Sequence, residues 1–110
     1  MSAPIEISPR EVKALLDSRE RPRLIDVREP FEFQQACIAG SELIPMRAIP
    51  QSLAALEAAE APLVILCHHG IRSLKVASWL REQGFEDCRS MAGGIDRWSL
   101  EIDPAVPRYC

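Results

Sequence analysis

Short apolar runs alternate with helix-patterned segments along the chain, and no other feature restricts its architecture as much. Ile5 to Ile7 reads as a short strand. Ser8-Pro9-Arg10-Glu11 is a helix start: Ser8 caps, Pro9 suits the first helical position and Glu11 completes a capping box. That helix is expected to run to Asp17 with Val12, Leu15 and Leu16 inward. Arg23 to Val27 reads as a buried strand, and Pro30 opens a short helix through Phe31 and Phe33. Glu42-Leu43-Ile44 is a strand stopped by Pro45, and Pro50 to Ala59 has helical spacing through Leu53 and Leu56. Pro62 to Leu66 is another strand. Arg72 to Gln83 is a helix that Gly84 can end. Phe85 to Met91 is the last strand, and Ile95 to Leu100 a short helix after the Gly93-Gly94 break. Strands alternating with helices make an α/β layer structure with a mostly parallel sheet. In such sheets a ligand site lies beyond the C-terminal ends of the strands.

Cys67 falls at such a place. It follows Leu63-Val64-Ile65-Leu66 and opens the run Cys67-His68-His69-Gly70-Ile71-Arg72-Ser73, with a helix behind it. A turn from strand to helix points successive N–H groups inward, and the helix dipole favours negative charge there. Those are the conditions under which a thiol ionises and becomes a nucleophile. Gly70 relieves backbone crowding. Arg72 can brace the loop carbonyls or hold an anionic substrate with its planar fork. A plain buried cysteine would need none of these neighbours.

The chain has 110 residues, enough for one domain around a single core, with 47% hydrophobic and 26% charged residues. Its 13 basic and 16 acidic side chains give a net charge of −3, which offers no global attraction to nucleic acid or to a membrane surface. No stretch reaches the length of a membrane span. The first ten residues carry Glu6 and two prolines and do not read as a signal peptide. The four cysteines, Cys37, Cys67, Cys88 and Cys110, lack CxxC spacing, so a reduced cytoplasmic setting is expected.

The Cys67–Ser73 run resembles the active-site loop of rhodaneses, sulfurtransferases that carry sulfur as a cysteine persulfide. Three further segments resemble the same family in the same order: Leu24 to Pro30, Leu43-Ile44-Pro45, and Met91 to Trp98. The resemblance implies one rhodanese domain over residues 1–110, with 103–110 an irregular tail. It implies about five mainly parallel strands flanked by helices on both faces. It further implies that Cys67 takes sulfur from thiosulfate or a persulfide donor and passes it to cyanide or a thiol, with a protein acceptor also open. His68, His69, Gly70, Ile71, Arg72 and Ser73 would hold the substrate sulfur. No cofactor, metal, nucleic acid or membrane is implied. Asp26 and Arg28, at the end of a buried strand, are structural by this resemblance, and Trp98 is expected as core packing that can lie under the active loop.

One segment departs from the family. Cys37-Ile38-Ala39-Gly40-Ser41 stands where a His-Ile-Pro-Gly-Ala pattern is common, which puts the local loop in question; Cys37 is expected as a small packing residue. Cys88 is expected in the core and Cys110 at the surface. A zinc site of Cys67 with His68 and His69 is disfavoured because adjacent residues rarely converge on one ion; either histidine could instead add positive charge beside the thiolate. Two rival functions share parts of this pattern. A phosphatase or arsenate reductase of the related type uses Cys-x5-Arg, one residue longer than the Cys-x4-Arg here, and a non-catalytic interaction module typically lacks the cysteine.

Overall fold

The computed structural model describes residues 3–109. Five strands, β1 (Glu6–Ile7), β2 (Arg23–Asp26), β3 (Glu42–Leu43), β4 (Leu63–Leu66) and β5 (Cys88–Met91), form one sheet in the order β1-β5-β4-β2-β3. Every pairing is parallel. Four α-helices connect them and a fifth follows β5: α1 (Pro9–Leu16), α2 (Pro30–Gln35), α3 (Leu53–Ala58), α4 (Ile71–Glu82) and α5 (Gly94–Glu101). The expected α/β architecture is therefore present, with a sheet that is wholly parallel.

Side chains alternate across the sheet and divide the core in two. Leu24, Val64, Leu66 and Met91 face one side, where they meet Val12 of α1, Ile95 and Trp98 of α5, and Val106. Ile25, Leu63, Ile65 and Cys88 face the other, against Leu56 of α3 and Val76, Ala77 and Leu80 of α4. Strands apolar on both faces require cover on both faces, and the helices supply it. The Ser8–Glu11 capping box forms as expected, with Ser8 Oγ accepting from the Glu11 amide at 3.1 Å.

Three expectations need adjusting. The segment Pro50 to Ala59 is not one helix: Met46–Ala48 and Pro50–Ser52 are 3₁₀ turns and α3 begins only at Leu53. Proline at 45 and 50 deprives successive turns of backbone donors, which favours short tight turns. The last strand starts at Cys88 rather than Phe85, because residues 84–85 close α4. Gly84 has φ +101°, its amide donates to Arg81 C=O at 3.1 Å, and the Phe85 amide donates to Leu80 C=O at 3.0 Å. That is a Schellman closure. Finally, Cys37 is exposed: Ala36 and Ile38 take the inward positions and the residue between them faces out. Cys88 is core, as expected, and burial pushes its thiol up to about 12. Cys110 lies outside the described residues.

Candidate active site

The Cys67 loop leaves the C-terminal end of the central strand β4 and enters α4 through Gly70, whose φ of +99° is a left-handed conformation that favours glycine. Cys67 is 1% exposed. Its sulfur accepts the Gly70 amide at 3.1 Å and the Ser73 amide at 3.3 Å, and its thiol donates to Ser73 Oγ at 3.4 Å. Ser73 is itself held by Ser90 of β5, hydroxyl to hydroxyl at 2.7 Å. Of the run expected to line the site, the backbone of Gly70 and both backbone and side chain of Ser73 therefore meet the sulfur. Ile71 turns its side chain to solvent, 69% exposed.

Backbone donors can face inward only if the loop carbonyls are satisfied on the other side. The start of α5 does this. The Ile95 amide donates to Cys67 C=O at 2.9 Å and the Asp96 amide to His68 C=O at 3.2 Å. The approach is so close that a Cβ on Gly94 would lie 2.4 Å from both carbonyl oxygens. Gly94, at φ +61°, is therefore required by space and by backbone conformation alike.

Arg72 does not brace the loop carbonyls. Its guanidinium forks onto Glu32 of α2, Nη1 to Oε1 at 2.7 Å and Nη2 to Oε2 at 2.9 Å. The fork holds the Glu32 carboxyl down at about 2 and raises the proton affinity of Arg72, which also feels the charge of Cys67. Glu32 is the inward residue of α2, while Phe31 beside it is exposed.

Asp26 and Arg28 form the buried structural pair anticipated for them, both side chains fully enclosed. Arg28 Nε reaches Asp26 Oδ1 at 2.9 Å, and Nη2 reaches Oδ2 at 2.6 Å and Ala36 C=O at 2.7 Å. The remaining Nη1 donates to Tyr109 Oη at 2.8 Å, and that hydroxyl donates to Glu32 Oε2 at 2.9 Å. Burial raises Tyr109 to about 12, so it stays a proton donor at neutral pH. One hydrogen-bonded chain thus runs Asp26–Arg28–Tyr109–Glu32–Arg72.

Sequence reasoning missed Glu32, Tyr109 and Ser90. Glu32 carried one usable signal: it sits three residues after Glu29 at a helix start, and its Oε1 accepts the Glu29 amide at 3.1 Å. Tyr109 and Ser90 had no local signal. Trp98 is buried as expected but does not lie beneath Cys67; it belongs to the core on the opposite face of the sheet.

The two histidines behave differently from each other. The His68 ring stacks on Tyr109 (centroids 3.9 Å, 10° between planes) and on His69 (3.9 Å, 26°). Burial, and then the neighbouring charge of His69, lower the His68 pKa, so it favours the neutral form and adds no charge beside the sulfur. His69 is exposed, with Nε2 3.9 Å from Asp96. His68, His69 and Asp96 bring one potential ligand atom each within 4.8 Å of one another. The stacked rings set their lone pairs side by side rather than toward one point, and Asp96 is already forked by Arg108, whose Nε lies 2.8 Å from Oδ1.

Among the described residues no helix is long and apolar enough to cross a membrane. The rhodanese-like domain family matches residues 8–101. The chain is 37% identical over 102 residues to the thiosulfate sulfurtransferase GlpE of Pseudoalteromonas translucida, covering 93% of this chain and 95% of that protein. It is 38% identical over 109 residues to the adenylyltransferase and sulfurtransferase MOCS3-2 of Zea mays, covering 94% of this chain but only 23% of that longer protein. The crystal structure of a rhodanese-like domain protein from Staphylococcus aureus superposes with a TM-score of 0.80 at 28% identity, covering 96% of this chain and 98% of that one. On these matches, and on a loop that delivers amide donors to a buried cysteine at the end of β4, the chain belongs to the rhodanese-like domain family.

Proposed function

We propose that this chain is a sulfurtransferase that carries sulfane sulfur on Cys67. The observation that carries the reading is the cradle itself: two amides and a hydroxyl meet one sulfur atom, while the arginine that closes the loop is turned onto Glu32. Phosphate or arsenate chemistry needs a guanidinium fork open to the tetrahedral anion. Here that fork is committed elsewhere, and the cradle suits a single sulfur.

In the reaction proposed, the Cys67 thiolate attacks the outer sulfur of thiosulfate. The new S–S bond forms as the S–S bond of thiosulfate breaks, and the electron pair leaves with sulfite. The product is Cys67–S–S⁻, whose inner sulfur stays against the Gly70 and Ser73 amides. A thiophilic acceptor then attacks the outer sulfur and the Cys67 thiolate is restored. Electrons balance within each displacement, in the manner of ping-pong covalent catalysis. The donor class is thiosulfate or a persulfide. The acceptor is cyanide in an assay and a thiol in the cell, whether small or carried by a protein.

The test is cyanide-dependent thiocyanate release from thiosulfate. The native chain should turn over and Cys67→Ser should not. A Cys67→Ser protein that still transfers sulfur overturns the mechanism, and hydrolysis of a phosphate ester at Cys67 without sulfur transfer overturns the class.

A further inference from the structure

The segment after α5 packs back on the core and ends its described course against the site. Val106 is buried in the core, Arg108 forks onto Asp96 in the first turn of α5, and Tyr109 reaches past the Cys67 loop to α2. Tyr109 meets the site through both its hydroxyl and its ring. Its hydroxyl accepts from Arg28 Nη1 at 2.8 Å. It donates to Glu32 Oε2 at 2.9 Å, the same oxygen that Arg72 Nη2 holds at 2.9 Å. Its ring lies flat against His68, the residue next to Cys67, at 3.9 Å. His68 Nε2 is buried without a hydrogen-bond partner among the described residues, so packing rather than hydrogen bonding at that atom holds this end of the ring.

We propose that Tyr109 is a positioning residue for the Cys67 site, which holds the Glu32–Arg72 fork and the His68 ring in one arrangement around the loop that cradles the sulfur. The physical reason is that a two-point fork between two side chains does not by itself fix where the pair sits. Glu32 has four lone-pair positions to satisfy, and Arg72 supplies two of the donors. The Glu29 amide fixes Oε1 and Tyr109 fixes Oε2. Tyr109 is in turn anchored by Arg28, which Asp26 and the Ala36 carbonyl immobilise in the core. The rigid, enclosed pair thus reaches the site through the tyrosine, whose hydroxyl it holds and whose ring lies under the Arg28 guanidinium, and, more weakly, through Arg28 Nη1 to Glu32 C=O at 3.3 Å. Tyr109 also removes part of the Glu32 charge by donating to it, which leaves more of Arg72's positive charge unneutralised toward Cys67.

The inference rests on the sulfur-transfer reading for its meaning, but its test does not. Cys67 is alkylated with iodoacetate and, separately, with its neutral counterpart iodoacetamide, and the rate at Cys67 is followed by peptide mass spectrometry so that exposed Cys37 does not contribute. The ratio of the two rates reports the positive field at the sulfur. Tyr109→Phe, which keeps the ring and loses the hydroxyl, should lower the iodoacetate-to-iodoacetamide ratio by roughly threefold, and Arg72→Ala should lower it at least as far. In an Arg72→Ala background Tyr109→Phe should change nothing further. Thiosulfate turnover should follow, with the loss in KM rather than kcat because the donor is an anion. Tyr109 is inert as a positioning residue if Tyr109→Phe leaves the ratio unaltered, or if it slows both reagents alike and does so equally without Arg72. A native chain whose alkylation ratio behaves as stated but which takes no sulfur from thiosulfate would instead overturn the transfer reading and leave the role of Tyr109 standing.

Discussion

The cradle around Cys67 and the charged chain behind it are built in opposite ways. The cradle uses neutral donors from one contiguous run, residues 67–73, and it is closed from outside by the first amides of α5. The charged chain uses five side chains, Asp26, Arg28, Glu32, Arg72 and Tyr109, that the fold gathers from four separate places. A backbone cradle is set by φ, ψ and glycine, so it is rigid and indifferent to pH. A side-chain network is set by mutual satisfaction of charges, so it fails as a unit when one member goes. The comparison teaches that the sulfur is held by the first, while the second fixes where Arg72 and Glu32 sit.

Each substitution below strikes one side of this contrast. The largest effect is expected for Asp26→Ala, which leaves Arg28 buried without its carboxylate. Equilibrium unfolding should show a loss of about 3–5 kcal/mol, and a loss below about 1 kcal/mol would mean that the pair is not the anchor described. Gly94→Ala comes next. The new Cβ would sit 2.4 Å from two loop carbonyls at φ +61°, and a destabilisation of about 3 kcal/mol is expected together with loss of sulfur loading. Full activity in that variant would show that α5 does not clamp the loop.

Glu32 gives the pH signature. Its carboxyl, ordinarily near 4.5, is held at about 2 in the folded chain by Arg72. Because the folded value is depressed, its contribution is complete above the unfolded value and is lost as pH falls from 4.5 toward 2. The contribution is on the order of 3 kcal/mol. Acid unfolding of Glu32→Gln should lose that part of the slope between those limits; an identical slope would place the proton elsewhere. The smallest effect is expected for Ser73→Ala, which removes the hydroxyl that accepts from the Cys67 thiol and strands Ser90. About 1 kcal/mol of stability should go, with a larger proportional fall in transfer rate. A fall in stability with no change in rate would remove Ser73 from the site.

How much of this was legible before folding follows from the same contrast. The cradle could be read because strand, loop, Gly70 and helix lie in order, and local order is what periodicity and turn chemistry report. The parallel sheet was legible in the apolar runs of β2 and β4, whose residues alternate between two covered faces. The Asp26–Arg28 pair was also legible, being two residues apart. The Glu32–Arg72 fork spans 40 positions and the Tyr109–Glu32 bond 77, and no spacing rule connects residues so distant. The readings open to Arg72 were therefore the loop carbonyls or an anionic substrate, and its partner in α2 was not among them. The tail was read as irregular, and residues 103–109, which carry no helix or strand, deliver Tyr109 to the site. The 3₁₀ turns at 46–52 escaped because helical spacing in Leu53 and Leu56 extends smoothly into residues that proline keeps out of an α-helix.

The central claim is that sulfur resides on Cys67. The most direct measurement is to incubate the native chain with thiosulfate, remove the excess, and locate the added mass by intact and peptide mass spectrometry. The account predicts one added sulfur atom on Cys67, discharged by cyanide as thiocyanate and absent from Cys67→Ser. Sulfur found on Cys37 or Cys110 with Cys67 unmodified would contradict it.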